Sequence, residues 1–296
     1  MSPRLPAVFT LIALLAGCAT TAGSVHPATA SPTSSALATP APNDNLDALA
    51  WSQTAVEHDL IYLQTYRDAQ ARLLRALHDP QWDALAARDR VAPAAGLPPA
   101  VVLDIDETVL DNSPFQARLI RSGGEYNEAD WVAWCNEQKA RALPGAVAFT
   151  QFAARHGIAV IYLSNRTKAL EQVTLANLRQ VGLPVSGPNA FMGLGMLVEG
   201  CTSHGSDKGC RRQQVSRHYR VLMQFGDQLG DFVDATANTA TARSGAVAPY
   251  LDWIGTRWFV LPNPTYGAWQ SMLFHNNWKA PAGERRHETL QSLRYQ

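Results

Sequence analysis

The stretch Val101-Val102-Leu103-Asp104-Ile105-Asp106-Glu107-Thr108 decides how the rest of the chain is read. A short apolar run ends in two carboxylates one residue apart, followed by a hydroxyl. Residues i and i+2 of a strand share a face, so Asp104 and Asp106 point the same way while the chain stays extended. Where the backbone turns at the strand end, the second carboxylate can instead swing over the first. Two acids held that close repel each other, and a bound cation is the usual remedy.

Outward from this stretch, composition sets the bounds. The 296 residues, 46% hydrophobic and 17% charged, suffice for one large core, or a core with a small appended lobe. Basic and acidic residues balance at 25 each. No basic stripe points to a nucleic-acid polymer as partner, although a single nucleotide needs only a local site. At the N-terminus, Arg4 precedes an apolar run from Ala7 to Leu15 that is too short to anchor a bilayer helix. Leu15-Ala16-Gly17-Cys18 matches a bacterial lipobox, with the Cys18 thiol as the lipidation site. The competing reading is an ordinary secretory signal with a chance cysteine. Residues 1–17 thus read as a lipoprotein signal peptide. Residues 18–45, rich in Ala, Ser, Thr and Pro, read as a disordered tether to a membrane, and 46–296 as the folded domain. Ala19, where an aspartate would favour retention inside, directs the expectation to the outer membrane, with the domain in the periplasm or at the cell surface. Cys201 and Cys210 flank a polar loop; they are either a disulfide of an oxidising compartment or two free thiols. Cys135 reads as a buried thiol.

Val56, Leu60, Leu63, Tyr66, Leu73 and Leu77 recur at helical spacing and predict one amphipathic helix ending at Asp79-Pro80. A shorter helical piece is expected over Gln81 to Arg90. Beyond Asp111 the pattern is irregular as far as Leu143, apart from a helix carrying Trp131 and Trp134 on one face. This insertion, about residues 113–143, is where a lid belongs. Strands are predicted before Asp104, over Ile158–Leu163, more weakly around Ala190–Gly193, over Val221–Phe225 and over Trp258–Leu261. Helices alternate with them. That order indicates an α/β fold with a parallel sheet flanked by helices. A mainly helical cap would come from the N-terminal helix and the insertion. Open parallel sheets bind ligands at the carboxyl ends of their strands.

Those ends supply Asp104 and Asp106, then Ser164-Asn165, then Asp227 with Asp231 one helical turn on. Lys208 lies in the loop before the fourth strand. Phosphate-ester hydrolysis asks for this inventory. An anionic substrate repels a carboxylate nucleophile, so a divalent cation must bridge them. Asp104, Asp227 and the backbone carbonyl of Asp106 can hold a hard ion. Ser164 and nearby amides can donate to phosphoryl oxygens, with Lys208 as a point charge. Asp106 would protonate the leaving group and Asp231 would orient Lys208 or a metal-bound water.

Asp-Ile-Asp-Glu-Thr-Val-Leu-Asp-Asn-Ser-Pro-Phe (104 to 115) resembles the first motif of haloacid-dehalogenase (HAD) phosphatases, in particular the class C acid phosphatases, the bacterial lipoprotein nucleotidases. Ser164-Asn165-Arg166 is similar to the second motif. Lys208, with Arg211 as its substitute, is similar to the third, and Gly226 to Phe232 to the fourth. Pro262 to Trp269 resembles a late segment of class C. The resemblance implies a Rossmann-like HAD core, Asp104 as nucleophile and Asp106 as acid/base. It further implies Asp104, Asp106 and Asp227 around one Mg²⁺ per site, with Thr108, at the motif's hydroxyl position, and Asn165 as substrate contacts. Trp131 and Tyr266 would stack on the ring of a nucleoside monophosphate, with Trp134 and Phe115 as neighbours. It also implies a homodimer. The rivals are a phosphotransferase on the same scaffold and a ligand-binding surface lipoprotein without activity.

Overall fold

The computed structural model describes residues 43–187 and 189–296, so Cys18, the signal segment and most of the tether lie outside the described residues. Two helices come first, α1 (Leu46–Thr54) and α2 (Val56–His78), then strand β1 (Pro99–Leu103). The insertion holds β2 (Leu110–Asp111), α3 (Ser113–Ser122), α4 (Glu128–Glu137) and β3 (Arg141–Ala142), with β2 and β3 antiparallel. There follow α5 (Ala146–Arg155), β4 (Ala159–Thr167), α6 (Glu171–Gln180), β5 (Phe191–Leu194), α7 (Gly209–His218) and β6 (Arg220–Gly226). Last are α8 (Ala240–Val247), β7 (Trp258–Val260), α9 (Ala268–Met272) and α10 (Ala282–Gln291). Among the described residues no helix is long and apolar enough to cross a membrane.

The main sheet has the order β5-β4-β1-β6-β7, all parallel. β1 is therefore central, and the connections leave it first toward β4 and later toward β6. Such a reversal opens a crevice at the carboxyl end of the middle strand. Alternation splits β1 between two cores. Val101 and Leu103 face a cluster with Tyr62, Tyr66, Leu73 and Phe149 from α2 and α5. Ala100 and Val102 face Leu85, Val215, Phe232 and Trp258 on the other side. Burial on both faces explains why β1, β4 and β6 read as continuous apolar runs.

Helix α2 buries Tyr66 and Leu73 of the expected face but is rotated away from Val56 and Leu60 toward its tyrosines. His58, Tyr62, Tyr66, Ala69, Leu73 and Ala76 are buried, whereas Val56 and Leu60 are 62% and 54% exposed. The tyrosines decide the rotation because their hydroxyls have specific acceptors. Tyr62 donates to the Glu107 carbonyl at 2.5 Å and Tyr66 to the Thr108 carbonyl at 2.8 Å. Both carbonyls belong to the turn that follows Asp106, so α2 is a layer of the core and braces the acidic motif. The shorter helix α1 reaches the insertion instead, through Gln53 to Ser113.

The expected helical piece over Gln81 to Arg90 does not form; only Ala87–Asp89 makes a 3₁₀ turn. The backbone of Ala84 is engaged elsewhere. Its N–H donates to Val221 at 2.8 Å, and its carbonyl accepts from Gln224 Nε2 and Trp258 Nε1. The insertion is more regular than its sequence suggests. Pro114 opens α3, Phe115 and Ile120 bury its face, and Gly123 closes it at φ 64°.

Arg220 links the two ends of this construction. Buried at the start of β6, it donates to the carbonyls of Ala76, Leu77, Asp79 and Trp82, the last at 3.2 Å. These acceptors are carbonyls at the end of α2 and just beyond, where the helix supplies no N–H partners. Arg220→Ala removes the donor from these buried and half-buried carbonyls. It is expected to destabilise the domain by about 3 kcal/mol in a denaturant titration. A loss below about 0.5 kcal/mol would show that the cap contributes nothing.

Candidate active site

The chain leaves β1 at Asp104, whose N–H continues the ladder to the Phe225 carbonyl. It then turns tightly. The Ile105 carbonyl accepts from Thr108, Val109 and Leu110, and Glu107 takes φ 54°. The turn directs Asp106 toward the cavity and Thr108 into the core. Thr108 is completely buried, and its hydroxyl finds no partner among the described residues. The expectation that Thr108 contacts substrate therefore does not hold in this geometry.

At the floor of a cavity of about 1550 Å³, Asp104, Asp227 and Asp231 each bring a carboxylate oxygen within 4.8 Å of the others. Lys208 is their counter-charge. Its Nζ lies 2.5 Å from Asp104 Oδ1, 2.7 Å from Asp231 Oδ1 and 2.9 Å from the Leu163 carbonyl. Those three acceptors use all three ammonium donors. Burial pushes Asp104 up to about 7; Lys208 opposes that shift, while Asp231 and Asp106 add to it. Burial also raises Asp227, helped by the charges of Asp231 and Asp104 and opposed by hydrogen bonds from Gln228 and Asn263. Burial pulls Lys208 down, but Asp104 and Asp231 outweigh it and the ammonium is held above its ordinary range.

The supporting bonds are specific. Asp231 Oδ2 accepts the Gln228 N–H at 2.8 Å, so both its oxygens are engaged and it orients Lys208. Gly226 makes this possible, since a Cβ there would come within 2.1 Å of Asp231 Oδ2. Asp227 Oδ2 accepts from Gln228 Nε2 and Asn263 Nδ2, both at 2.8 Å. Asp227 Oδ1 takes no hydrogen bond among the described residues. Arg212 pins the surrounding loop, donating to Asp89 Oδ2 and the Gly230 carbonyl at 2.6 Å and lying 3.0 Å from Asp234. Asp234 in turn accepts the Lys208 N–H. The bond between Cys201 and Cys210 ties the preceding loop to the first turn of α7, next to Lys208.

The second strand end is organised by two arginines. Ser164 is wholly buried, its Oγ accepting the Arg166 N–H at 3.1 Å, with the hydroxyl hydrogen left to donate. Arg211 donates to the Ser164 carbonyl and to Asn165 Oδ1, and so supports the turn while Lys208 serves the acids. Asn165 stays exposed at the cavity wall. Asp106 Oδ1 accepts from Arg166 and Asn112, so that oxygen is engaged outside the acid cluster. Any share of Asp106 in holding a metal falls to its backbone carbonyl.

Trp131 and Tyr266 both line the cavity. Trp131 is half-buried, edge-on to Phe115 at 5.2 Å and tilted to Tyr126 at 6.5 Å. Tyr266 is fixed by its backbone: its N–H donates to Asn263 Oδ1 and its carbonyl accepts from Gln228 and Trp269. Trp134 is buried behind this wall and donates to Asn112. Arg285 of α10 pairs with Glu125 beside Tyr126, and Arg286 reaches Asp44 at 2.6 Å, which brings the C-terminal helix into the cavity wall. Cys135 is buried, its thiol pushed up to about 12 by desolvation, which suits packing and not catalysis. Asn112, Arg166, Arg212, Gln228 and Asn263 carry roles that sequence reading did not assign. The signal within reach was position alone, since each adjoins a motif.

Comparison with known proteins gives a consistent result. A family model described as HAD superfamily, subfamily IIIB (acid phosphatase), matches residues 29–269. The class C acid phosphatase of Bacillus anthracis, solved with tungstate bound, superposes with a TM-score of 0.72 at 31% identity, over 85% of this chain and 97% of that one. A stem 31 kDa glycoprotein of Glycine max is 26% identical over 56% of this chain and 58% of its own length. Acid phosphatase 1 of Solanum lycopersicum is 23% identical over 56% of this chain and 57% of its own. The chain thus spans under two thirds of the length of these curated relatives. The matched span includes the strand ends that carry Asp104, Ser164 and Asp227, and by it the chain belongs to the subfamily IIIB acid phosphatases of the HAD superfamily.

Proposed function

We propose that this chain hydrolyses phosphomonoesters, nucleoside monophosphates and other aromatic phosphates among them, through an aspartyl-phosphate on Asp104, with one Mg²⁺ per site. The observation that carries this is the Asp104 carboxylate, 2.5 Å from the Lys208 ammonium and clustered with Asp227 and Asp231. The tungstate bound by the Bacillus anthracis relative, a tetrahedral oxyanion like phosphate, supports the same reading.

The residues fit a hard divalent ion. Three carboxylates face one ammonium. Asp104 Oδ2 and Asp227 Oδ1 carry no hydrogen bond among the described residues, and oxygen donors are what such an ion takes. Bound by Asp104, Asp227 and the Asp106 carbonyl, Mg²⁺ would offset phosphate charge so that an anion can approach an anion. The chain supplies the remainder. Asp104 forms the new bond to phosphorus as the ester bond breaks, and the electron pair leaves on the alcohol oxygen. Asp106 gives that oxygen a proton. Asp106 then takes a proton from water, which attacks phosphorus and releases inorganic phosphate and the Asp104 carboxylate. Lys208 acts by its charge and by aiming Asp104, because its donors are already spent. Asn165, exposed at the cavity wall, supplies a donor to the phosphoryl oxygens, and the wholly buried Ser164 holds the turn that carries it. Trp131 and Tyr266 offer ring faces without selective polar contacts, which favours aromatic leaving groups of many kinds.

Attachment to the outer membrane through lipidated Cys18 belongs to the same proposal and rests on the Leu15-Ala16-Gly17-Cys18 sequence. A homodimer is carried forward from the family resemblance alone.

Phosphate release from a panel of monophosphates tests the reading directly. Turnover of nucleoside monophosphates is expected with Mg²⁺ and its loss with a chelator. Asp104→Asn is expected to lower kcat by roughly a thousandfold or more while leaving ligand affinity within a few-fold. Phosphate release unaffected by chelator, or near-normal turnover in Asp104→Asn, would contradict it. Trp131→Ala is expected to raise KM for a nucleoside monophosphate about tenfold, from the loss of about 1–3 kcal/mol of stacking, and to leave a small aliphatic phosphate within about twofold. Equal losses on both substrates would show that Trp131 serves packing alone.

A further inference from the structure

The Asp106 carboxylate is held asymmetrically. Its Oδ1 accepts three hydrogen bonds, from Asn112 Nδ2 at 2.8 Å, Arg166 Nε at 2.9 Å and Arg166 Nη2 at 2.8 Å. Its Oδ2 accepts none among the described residues. An arginine that merely neutralises a carboxylate uses its fork in parallel, one N–H to each oxygen. Here both arms of the guanidinium converge on a single oxygen, and an amide joins them.

The donors are themselves fixed. Arg166 is 1% exposed, and its remaining contacts are Asn112 Oδ1 at 3.2 Å and Thr174 Oγ1 at 3.4 Å. Trp134, 2% exposed, donates its indole N–H to Asn112 Oδ1 at 2.8 Å. That bond sets which way the Asn112 amide lies; turned over, it would present oxygen to the carboxylate. The Trp131 ring lies 5.3 Å from the same guanidinium, so the aromatic wall of the insertion rests on the group that holds Asp106.

We propose that Arg166 and Asn112, with Trp134 behind them, are positioning residues for Asp106. They occupy Oδ1 and so leave Oδ2 as the oxygen that exchanges the proton with substrate. This rests on the reading of Asp106 as acid/base. As Asp104 bonds to phosphorus, the ester bond breaks and its electron pair stays on the leaving oxygen. That oxygen takes the proton from Oδ2. The charge left on Asp106 is met by Arg166, already in contact.

Leaving-group dependence separates this role from a structural one. A nitrophenolate departs without help, whereas phenolate and alkoxide need the proton. The parameter to compare is kcat/KM, because it excludes the later hydrolysis of the aspartyl-phosphate that all substrates share. The full chain is assayed on p-nitrophenyl, phenyl and alkyl phosphates as wild type, Asp106→Asn, Arg166→Lys, Asn112→Ser and Trp134→Phe. For Arg166→Lys, kcat/KM on phenyl and alkyl phosphate is expected to fall about 100-fold, and on p-nitrophenyl phosphate less than about fivefold. Asn112→Ser and Trp134→Phe, which leave the buried charge pair in place, are expected to shift in the same direction by a smaller factor. They decide the matter if Arg166→Lys fails to fold. Equal losses on all three substrates, or none, in these variants would overturn the proposal while Asp106→Asn still shows the dependence. If Asp106→Asn itself shows none, the acid/base reading falls and the positioning role falls with it.

Discussion

Like charges buried side by side are the constraint on which this molecule is built. Asp104, Asp227 and Asp231 converge because the segments leaving two adjacent parallel strands, β1 and β6, meet at one end of the sheet. Removed from water, each carboxylate resists ionising, and each raises the cost for the next. Lys208 makes the arrangement tolerable. It is a poor neutraliser of three acids and a good one of two, and its contacts with Asp104 and Asp231 leave Asp227 the least satisfied. The remaining electrostatic demand is for a cation beside Asp104 and Asp227, which is also what an anionic substrate would need.

Much of the surrounding structure serves to hold that unfavourable geometry. Gly226 gives Asp231 room, and Arg212 binds the Gly230 carbonyl between two further acids. Tyr62 and Tyr66 hold the turn behind Asp106 from α2, and Phe225, on the strand that delivers Asp227, stacks between Tyr66 at 5.3 Å and Phe259 at 5.0 Å. The aromatic ladder is worth about 0.5–1.5 kcal/mol per pair beyond burial. The stability needed for a strained charge cluster is thus supplied by the apolar layer next to it, a pattern common at functional sites.

Legibility in the sequence followed the range of each interaction. Apolar runs ending in Asp104, Ser164 and Asp227 are local patterns, and the parallel sheet with acids at its strand ends was readable from them. Lys208 was read as a point charge for the phosphoryl group, whereas its donors are spent on Asp104, Asp231 and the Leu163 carbonyl. The rotation of α2 was not, because Val56 and Leu60 fit the helical period as well as Tyr62 does; only the distant Glu107 and Thr108 carbonyls select the tyrosine face. The segment from Gln81 to Arg90 looked helical because its pairing with Val221, Gln224 and Trp258 is remote in the chain. For α3, Pro114 and Gly123 marked both ends, and the irregular reading undervalued them. Arg166 and Arg212 find their acids 60 and 123 positions away, a partnership no local pattern reveals. Thr108 was placed by its neighbours in the motif, and the turn sends it inward.

What remains is whether the negative charge left over at the sheet's end is met by a metal held between two strands. A crystal grown with Mn²⁺ and measured at its absorption edge answers this from the density alone. The expected result is one anomalous peak bridging Asp104 and Asp227, with each oxygen about 2.0–2.2 Å from the ion. No peak at saturating Mn²⁺, or a peak bound by Asp104 with Asp227 out of coordinating reach, would contradict it.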